Sequence, residues 1–503
     1  MKIVNVNKER QAWLDKGYEV FSYDREKMIR ETRQDPEWVH FGAGNLFRAF
    51  QAVFCDKLLD EGVLNKGIIA VGGRDSAAID DFFRRYDDLH IAVTLKGNGD
   101  VDKRVVGSIA ESLKIEDTER LQEIFTKESL KVCSFTVTEK GYVVSESDTD
   151  EAFMAKVTAL IHHRYLHGAY PLTLSSHDNC SHNGDVLKKA ILFFAKRYED
   201  EAFLNYVNEK VSFPISMIDK ITPRPHKAIA GMLEEDGVED LKDLSIDHYM
   251  SCFVNAEESQ YLVIEDKFAN GRPAWEKAGI IFTDRETVDK VEKMKVGTCL
   301  NPVHTSLAVY GCLLGHTLIC DEMKDEELNK LARHVGYDEG LPVVVDPKIL
   351  DPKQFIDTVI NDRLPNPYMP DAPQRIAMDT SQKLPVRFGE TLKAYLKKGE
   401  DITKLVYIPL VFAGWLRYLT GINDKGEAFE LPSDPMLEEL TPVMSRYHLG
   451  DSVRKEDILP ILRNEKIFGV DLEKEGLADK VVGYLNEELQ GVDAVRNTLK
   501  KYM

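Results

Sequence analysis

Two glycines stand between a predicted strand and a predicted helix near the start of the chain. In WVHFGAGNLFRAFQAVF, Gly42 and Gly44 separate a short apolar run from an amphipathic one. This is the context of a dinucleotide-binding turn, in which the first glycine permits a tight turn and the second lets the backbone approach a pyrophosphate. Phe47 stands where the usual pattern has a third glycine, so an ordinary glycine turn stays an alternative. We predict a cofactor-binding loop that includes Gly42, Gly44, Asn45 and Phe47.

A second strand-like run, GIIAVGGRD, ends in Arg74 and Asp75. In dinucleotide-binding folds this position reads the adenosine ribose, and a carboxylate suits the 2′-hydroxyl of NAD whereas a guanidinium suits the 2′-phosphate of NADP. Because both residue types are adjacent, this pair does not decide between NAD and NADP. We predict NAD and leave NADP open. A solvated strand end is the structural alternative for this pair.

Asn301 and His304 are three residues apart in a segment with helical patterning. In a helix these two side chains share one face and can meet the same ligand. Asn301 also precedes Pro302, and an Asn–Pro pair is common at the N-cap and first position of a helix. Helix capping is therefore the alternative to a binding role for Asn301.

Histidines and cysteines cluster at two places. His177, Cys180 and His182 lie within six positions, and Cys312 and His316 have the i, i+4 spacing of one helix face. Neither set has the spacing of a recognised zinc site. We predict no metal and assign Cys312 and His316 to the packing of an apolar helix.

The elements that must position these residues differ between the two halves of the chain. Strand-like runs alternate with helical patterns in the first half, at Trp38–Phe41, Gly67–Val71, His90–Leu95, Lys131–Thr138 and Pro171–Ser175. Such alternation predicts a parallel sheet. After about Thr283 the pattern is mostly helical. We predict an α/β fold with a Rossmann-type, dinucleotide-binding domain at 1–285 and a mostly α-helical, substrate-binding domain at 286–503.

Composition restricts the partners and the compartment. The 503 residues carry 65 Lys and Arg against 85 Asp and Glu, a formal charge of −20. We therefore expect no nucleic acid and no membrane as partners, but a small molecule bound by a monomer or small homo-oligomer. The seven cysteines are scattered and odd in number, and the first residues lack the apolar run of a signal peptide. Both features indicate a reducing compartment, the cytoplasm.

Seven blocks of sequence point to a family. They are HFGAGNLFRAFQ at 40–51, TVTEKGY at 136–142, SSHDNCSHNG at 175–184, FPISMIDKITP at 213–223, VIEDKFANGRPAWEKAG at 263–279, EKMKVGTCLNPVHTSLAVYG at 292–311 and IAMDTSQKLPVR at 376–387. Taken in this order, the chain resembles the polyol-specific long-chain dehydrogenase/reductase (mannitol dehydrogenase) family. The resemblance implies an oxidoreductase that interconverts D-fructuronate and D-mannonate, with tagaturonate/altronate or fructose/mannitol as alternatives. A nucleotide-binding regulatory protein without turnover is the non-enzyme alternative.

The resemblance also implies an acid–base lysine in place of zinc. The matching residue is Lys295, and a lysine acts as a base near neutral pH only where burial or neighbouring cations lower its pKa. Six positions separate Lys295 from Asn301, one more than in the family pattern. We interpret the extra position as a one-residue loop insertion, with Lys293 as a weaker candidate for the base.

Further roles follow from the same resemblance. Asn179 and Asn301 would donate hydrogen bonds to the developing oxyanion, and His304 would hold a substrate hydroxyl. Glu139 would exchange the proton with solvent, although a loop or N-cap carboxylate is its structural alternative. Asp219, Arg375 and Lys383 match substrate-binding positions. Because the two cations also occur in relatives that act on uncharged polyols, they support a polyhydroxylated substrate more than a carboxylate.

Overall fold

The structure is a computed structural model that describes residues 1–73, 77–239, 241 and 250–503. The chain divides into two compact units. The first comprises Met1–Lys96 and Asp100–Asp289, and the second comprises Gly97–Gly99 and Lys290–Met503. The predicted ribose-reading residues Arg74 and Asp75 lie outside the described residues.

All strands of the described chain belong to the first unit. They are β1 Tyr18–Val20, β2 Trp38–Phe41, β3 Ile68–Gly72, β4 His90–Leu95, β5 Val101–Val106, β6 Ile109–Lys114, β7 Val132–Phe135, β8 Leu172–Ser176, β9 Val211–Ser212, β10 Ser216–Asp219, β11 Phe253–Glu257, β12 Tyr261–Glu265 and β13 Ile281–Thr283. The helices of this unit are α1 Arg10–Asp15, α2 Arg25–Gln34, α3 Asn45–Ala49, α4 Gln51–Asp60, α5 Ala77–Phe82, α6 Thr118–Thr126, α7 Phe153–Leu166, α8 Asn183–Ala195, α9 Glu201–Lys210 and α10 Lys227–Glu235.

The second unit is helical. Helix α11 Arg285–Met294 leads into it, followed by α12 Asn301–Leu314, α13 Ile319–Glu322, α14 Glu326–Arg333, α15 Pro352–Thr358, α16 Pro373–Ile376, α17 Thr380–Leu384, α18 Glu390–Lys397, α19 Tyr407–Tyr418, α20 Leu437–Met444, α21 Lys455–Leu462, α22 Glu465–Phe468, α23 Ala478–Glu488 and α24 Ala494–Tyr502. Within the described ranges, no helix is long and apolar enough to cross a bilayer.

Short 3-10 turns occur in both units, and wider π-helical segments occur in the second. The 3-10 turns are Ile3–Asn5, Arg84–Tyr86, Glu139–Tyr142, Lys196–Tyr198, Trp275–Ala278, Leu341–Val343 and Ile402–Lys404. The second unit also contains π-helical segments at Lys295–Cys299, His334–Gly340, Val359–Arg363 and Pro385–Gly389. The predicted mostly helical second half is confirmed.

The largest sheet of the first unit has six parallel strands in the order β6-β3-β2-β7-β8-β9. Counted along the chain within the sheet, this order is 3-2-1-4-5-6, which is the Rossmann arrangement. The central strands β2, β3 and β7 are buried along their whole length, as expected for a parallel sheet covered by helices on both faces. The predicted α/β fold class is confirmed.

Strand β4 is correctly predicted but belongs to another sheet. It pairs antiparallel with β5, with Ile91 opposite Val105, and parallel with β11, in a sheet ordered β1-β5-β4-β11. The connection 96–100 is short enough for a hairpin, whereas a parallel crossover needs a dozen or more residues. A third sheet has the order β10-β12-β13.

Arg164 on α7 fixes the beginnings of two neighbouring strands. Its side chain is fully buried, and its guanidinium donates to backbone carbonyls just before β7 and β8. The acceptors are the carbonyls of Phe125, Lys127, Leu130, Tyr170 and Pro171, at 2.7 to 3.0 Å. Because β7 and β8 start from one anchored point, the loops at their opposite ends are placed relative to each other.

Helix α12 is the centre of the second unit. Its residues from Thr305 to Leu313 are all buried, and it packs against α14, α16 and α19. The Tyr310 hydroxyl donates to the Leu410 carbonyl (2.8 Å) and to Glu488 (2.7 Å). Gly311 leaves room for the Glu322 side chain, because a Cβ atom at position 311 would collide with that carboxyl group. The helix is thus held from several sides by buried acids and aromatic rings.

The buried carboxyl group of Glu322 makes the free energy of unfolding depend on pH. Burial raises the pKa of Glu322 to about 9, and neither carboxyl oxygen has a hydrogen-bond partner in the described part of the chain. In the unfolded chain the group ionises near its ordinary value of about 4.3. The folded protein therefore holds a proton that the unfolded chain releases, and the free energy of unfolding falls as pH rises from about 5 towards 9.

We predict that Glu322→Gln, which removes this proton equilibrium, gains stability relative to the wild type as pH rises. The gain is up to about 1.4 kcal/mol per pH unit, measured by urea unfolding at pH 5 to 9. Glu326→Gln is the matched control, since Glu326 is exposed and paired with Lys330; its difference from the wild type should be constant above pH 6. A constant difference for Glu322→Gln as well would show that Glu322 is not protonated in the folded protein.

Candidate functional site

The predicted cofactor loop depends on its first glycine. Gly42 has a φ of +101°, its N–H donates to the Val71 carbonyl (2.9 Å), and its carbonyl accepts from the Thr136 hydroxyl (2.9 Å). A Cβ atom here would lie 2.2 Å from the Thr136 carbonyl oxygen. Gly44 is different: its backbone is extended and it precedes α3. Among the described residues, a Cβ atom here would meet nothing nearer than the Gly42 carbonyl at 4.0 Å. The loop therefore has open space in front of Gly44.

Phe47 takes over the packing role of the missing third glycine. Its ring is fully buried and stacks on His40, with 4.2 Å between ring centroids. His40 is held in turn by the hydroxyls of Ser134 (2.7 Å) and Thr136 (2.8 Å). In the structure the Phe47 side chain joins α3 to the sheet, and the cofactor contact of this residue stays a prediction. Asn45, the first residue of α3, is only partly buried.

Three predicted site loops meet at one edge of the Rossmann sheet. The glycine loop follows β2, the loop with Glu139 follows β7, and the loop with Asn179 follows β8. These strands are neighbours and parallel, so their carboxyl ends share an edge. The strand order reverses between β3 and β7 around β2, and such a switch point is where open α/β sheets bind ligands. Glu139 and Asn179 are both exposed at this edge.

Asp178 organises this edge, and the sequence analysis did not single it out. Its buried carboxylate accepts from the backbone N–H groups of Val137 (3.0 Å) and Thr138 (2.9 Å) and from the Tyr142 hydroxyl (2.5 Å). Burial raises the pKa of Asp178, and these hydrogen bonds act in the opposite direction. The carboxylate next to Asn179 thus fixes the loop that presents Glu139. No local pattern shows this role, because the accepting and donating groups are about 40 residues apart.

The loop after β8 is also tied to β10. The Asn183 side-chain amide donates to the carbonyls of Asp178 (2.9 Å) and Ser216 (3.0 Å) and accepts from the Ser216 N–H (2.9 Å). Strand β10 ends at Asp219, a predicted substrate-binding residue whose side chain is buried. The structure therefore connects Asn179 and Asp219 through one hydrogen-bonded junction.

The two histidines of the cluster after β8, His177 and His182, differ in burial. His177 is fully buried, lies 3.2 Å from the Gln51 amide and 3.1 Å from the Ser175 hydroxyl, and burial lowers its pKa to about 3. His182 is exposed beside Asp185. Over the described residues, no group of three or more His, Cys, Asp or Glu side chains is placed to hold a metal ion.

Lys295 opens a π-helical segment that runs directly into α12. The Leu300 N–H donates to the Lys295 carbonyl (3.1 Å), which closes a turn one residue wider than that of an α-helix. The extra position before Asn301 is therefore absorbed inside a helical turn and not, as we predicted, in a loop. π-Helical turns of this kind are frequent at functional sites. Lys295 is only 4 % exposed, whereas Lys293 is exposed, so burial favours Lys295 of the two.

Asn301 is not the cap of α12. The helix starts at Asn301 itself, Leu300 is the capping residue, and no side chain caps the helix. The capping alternative is therefore wrong. His304 follows in the same turn, with its Nε2 atom 3.6 Å from Asp371 Oδ2. Burial, reinforced by nearby arginines and opposed by Asp371, lowers the pKa of His304 to about 4, which leaves a neutral imidazole at pH 7.

The two predicted substrate-binding cations lie near the same turn. Arg375 is mostly exposed and forms an ion pair with Asp371, the carboxylate that faces His304. The Lys383 ammonium donates to the backbone carbonyls of Ile376 (3.0 Å) and Met378. Burial, and then the charge of Arg387, lower the pKa of Lys383 to about 8.

Arg387 is the second residue that the sequence analysis missed. It lies in the π-helical segment Pro385–Gly389, which contacts the segment Lys295–Cys299. Its guanidinium donates to the Thr305 hydroxyl and, at 3.5 Å, to the Asn301 carbonyl. Burial lowers the pKa of Arg387 to about 10. The sequence signal that could have identified Arg387 is its position at the end of the seventh block.

Two family models cover most of the chain. The model of the mannitol dehydrogenase Rossmann domain matches residues 36–277, and that of the mannitol dehydrogenase C-terminal domain matches residues 287–490. The chain belongs to the mannitol dehydrogenase family. The family resemblance inferred from the seven sequence blocks is confirmed.

Individual members of the mannitol dehydrogenase family are similar over nearly the whole chain. The D-mannonate oxidoreductase of Thermotoga maritima is 44% identical, over 98% of this chain and 97% of its own. Among solved structures, a D-sorbitol dehydrogenase has a TM-score of 0.77 at 26% identity and covers 95% of this chain and 97% of its own. The mannitol 2-dehydrogenase of Pseudomonas fluorescens, in a complex with NAD and D-mannitol, has a TM-score of 0.69 at 27% identity, over 97% and 96%.

The two loop glycines give a paired prediction for cofactor binding. Gly44→Ala should keep the wild-type melting temperature, because its Cβ has room, but should weaken NADH binding about tenfold or more, because the methyl group blocks the approach of the pyrophosphate. Gly42→Ala should instead lower the free energy of unfolding by about 1–3 kcal/mol, through backbone strain and the clash with Thr136. Calorimetry and NADH fluorescence titration measure the two effects. Unchanged NADH affinity in Gly44→Ala would contradict a cofactor loop.

Proposed function

We propose that this chain is a zinc-independent, NAD-dependent oxidoreductase that interconverts D-fructuronate and D-mannonate. The similarity to a D-mannonate oxidoreductase over 98% of the chain supports the substrate. One observation carries the reaction class: a buried lysine, Lys295, stands in the π-helical turn that leads to Asn301 and His304. Such a lysine provides the proton transfer that a zinc-free carbonyl reduction needs.

The glycine loop fits the cofactor. Open space in front of Gly44 lets a pyrophosphate reach the backbone, and the loop stands at the switch point of a sheet with Rossmann order. When bound, NAD exchanges a hydride with the substrate carbon. Asn45 adds a polar side chain at the start of α3. We assign Gly42, Gly44 and Asn45 to cofactor binding. The ratio of kcat/KM for NADH to that for NADPH tests the choice of NAD.

Proton transfer and charge stabilisation fall to four side chains. Lys295 gives a proton to the carbonyl oxygen in reduction and takes it from the alcohol in oxidation. The family resemblance gives Asn179 and Asn301 the role of neutral hydrogen-bond donors, which stabilise the negative charge that develops on a carbonyl oxygen. Glu139, exposed at the sheet edge, passes the proton to solvent. Asp178 acts through Glu139 and Asn179, since it fixes both loops.

Substrate hydroxyls are the proposed ligands of the remaining residues. His304 is neutral at pH 7, so its imidazole both donates and accepts hydrogen bonds, as a hydroxyl requires. Asp219 is a buried acceptor at the end of β10. Arg375 adds positive charge near His304, and Lys383 lies near Arg375 and Arg387. This arrangement suits a polyhydroxylated, negatively charged substrate.

We also place the protein in the cytoplasm. All seven cysteines fall within the described residues and are free thiols, and six of them are buried. Free thiols persist in a reducing compartment. This is consistent with the scattered cysteine spacing in the sequence.

Lys295→Ala tests the reaction class, with Lys293→Ala as a matched control two residues away. We expect Lys295→Ala to lose about 10²–10⁴-fold in kcat with unchanged NADH affinity, because only the acid–base group is removed. Lys293 is exposed, and its loss should change kcat little. Stopped-flow reduction of fructuronate and NADH fluorescence measure both. Full activity of Lys295→Ala would remove this lysine from the mechanism.

Three ketones test the substrate. Steady-state kcat/KM values with NADH should rank fructuronate above both tagaturonate and fructose. Equal efficiency on fructose would contradict a sugar-acid enzyme, and a preference for tagaturonate would move the proposal to altronate. Retained NADH binding without reduction of any of the three would instead favour a regulatory nucleotide-binding protein.

The lowered pKa of Lys383 predicts a pH effect on substrate binding. The lysine is cationic below about pH 8 and neutral above it, whereas the sugar-acid carboxylate stays ionised throughout. The KM for fructuronate should therefore rise by up to about tenfold between pH 7 and 9, and Lys383→Arg should suppress this rise because arginine keeps its charge. A KM that is independent of pH in the wild type would contradict the assignment.

A further inference from the structure

Arg387 reaches into the first turn of α12 from a neighbouring π-helical segment. Proline at position 385 has no N–H group and does not fit an α-helical interior, and the wider turn Pro385–Gly389 accommodates it. In this turn the Arg387 guanidinium meets the Thr305 hydroxyl and the Asn301 carbonyl, one helical turn apart. The residue therefore stands against the same turn that carries His304.

The charge of Arg387 is not balanced by a carboxylate. The nearby Arg375 pairs with Asp371, but Arg387 forms no ion pair with any Asp or Glu over the described residues, and its acceptors are two uncharged oxygens. Arg387 also lowers the pKa of Lys383, so two cations lie near one another. Its side chain is only partly exposed.

A partly buried cation without a carboxylate partner is unfavourable unless a ligand supplies the missing negative charge. Water compensates a partly buried guanidinium incompletely, and neutral acceptors supply less than a carboxylate does. A carboxylate accepts two parallel hydrogen bonds from a guanidinium and also relieves the repulsion between two nearby cations. A neutral polyol supplies neither effect. The local electrostatics therefore select an anionic ligand group.

We propose that Arg387 receives the substrate carboxylate and makes this chain prefer a sugar acid to a neutral polyol. The inference rests on the proposed function and assigns the direct contact with the carboxylate to Arg387, whereas Lys383 favours the same anion through its nearby positive charge. Because Arg387 also touches Asn301 and Thr305, the bound carboxylate is held at a fixed place relative to the turn with His304.

The test compares two ketones in three variants. In Arg387→Gln, we expect kcat/KM for fructuronate to fall about 100-fold or more, as when one partner of a charge-paired contact is removed, and that for fructose to fall less than about fivefold. Arg387→Lys keeps the charge without the bidentate geometry and should lose about tenfold on fructuronate. Arg446→Gln, an exposed site in the same unit, is the control for the change in net charge and should leave the ratio of the two ketones unchanged.

A binding measurement covers the case in which fructose turns over too slowly or Arg387→Gln folds poorly. Calorimetric titration of D-mannonate and of mannitol into the NADH-loaded proteins, in which neither alcohol can be oxidised, should show weaker binding of mannonate only in Arg387→Lys than in the wild type. Equal losses on both ligands or both ketones would mean that Arg387 only supports α12, and would overturn the inference while fructuronate activity stands. A wild type that does not reduce fructuronate would overturn the proposed function itself.

Discussion

Burial of a charge requires partners, and each of the two units contains a buried or partly buried charge that illustrates this requirement. In the first unit, the Asp178 carboxylate is satisfied internally by two backbone N–H groups and the Tyr142 hydroxyl, and the result is a fixed pair of strand-end loops. In the second unit, the acceptors of Arg387 among the described residues are neutral oxygens. The hydrogen bonds of Asp178 fix the conformation of the loops, whereas the charge of Arg387 favours the binding of an anionic ligand.

The π-helical turns explain how the second unit presents its polar groups. In an α-helix that continued straight from α11 into α12, the extra residue between Lys295 and Asn301 would rotate Asn301 by about 100° around the helix axis. The wider turn absorbs it, keeps Lys295 buried, and starts α12 at Asn301. The wider turn that begins at Pro385 carries Arg387, and the two π-helical segments contact each other. Irregular helical geometry thus occurs where the proposed chemistry is concentrated.

Much of the fold could be predicted because its signals are local. The glycine loop and the alternation of strands and helices are read within short windows, and the six-stranded sheet agrees with them. Strand β4 was predicted, but its sheet was not, since pairing depends on the length of the next connection and on β11, far along the chain. The packing of Phe47 on His40 could not be predicted from a short window either, because only the folded sheet creates this contact.

The sequence by itself determined the family, the Rossmann-type first half, the helical second half and the set of polar residues available for a site. The tertiary structure decided the surroundings of those residues: Lys295 is buried where Lys293 is exposed, and Asn301 begins its helix without capping it. It also decided that Asp178 holds the loop before Glu139 and that Arg387 contacts the first turn of α12. The physical reason is that residue type and spacing set local conformation, whereas burial, charge pairing and hydrogen-bond acceptors depend on segments that can lie more than a hundred residues away in the chain.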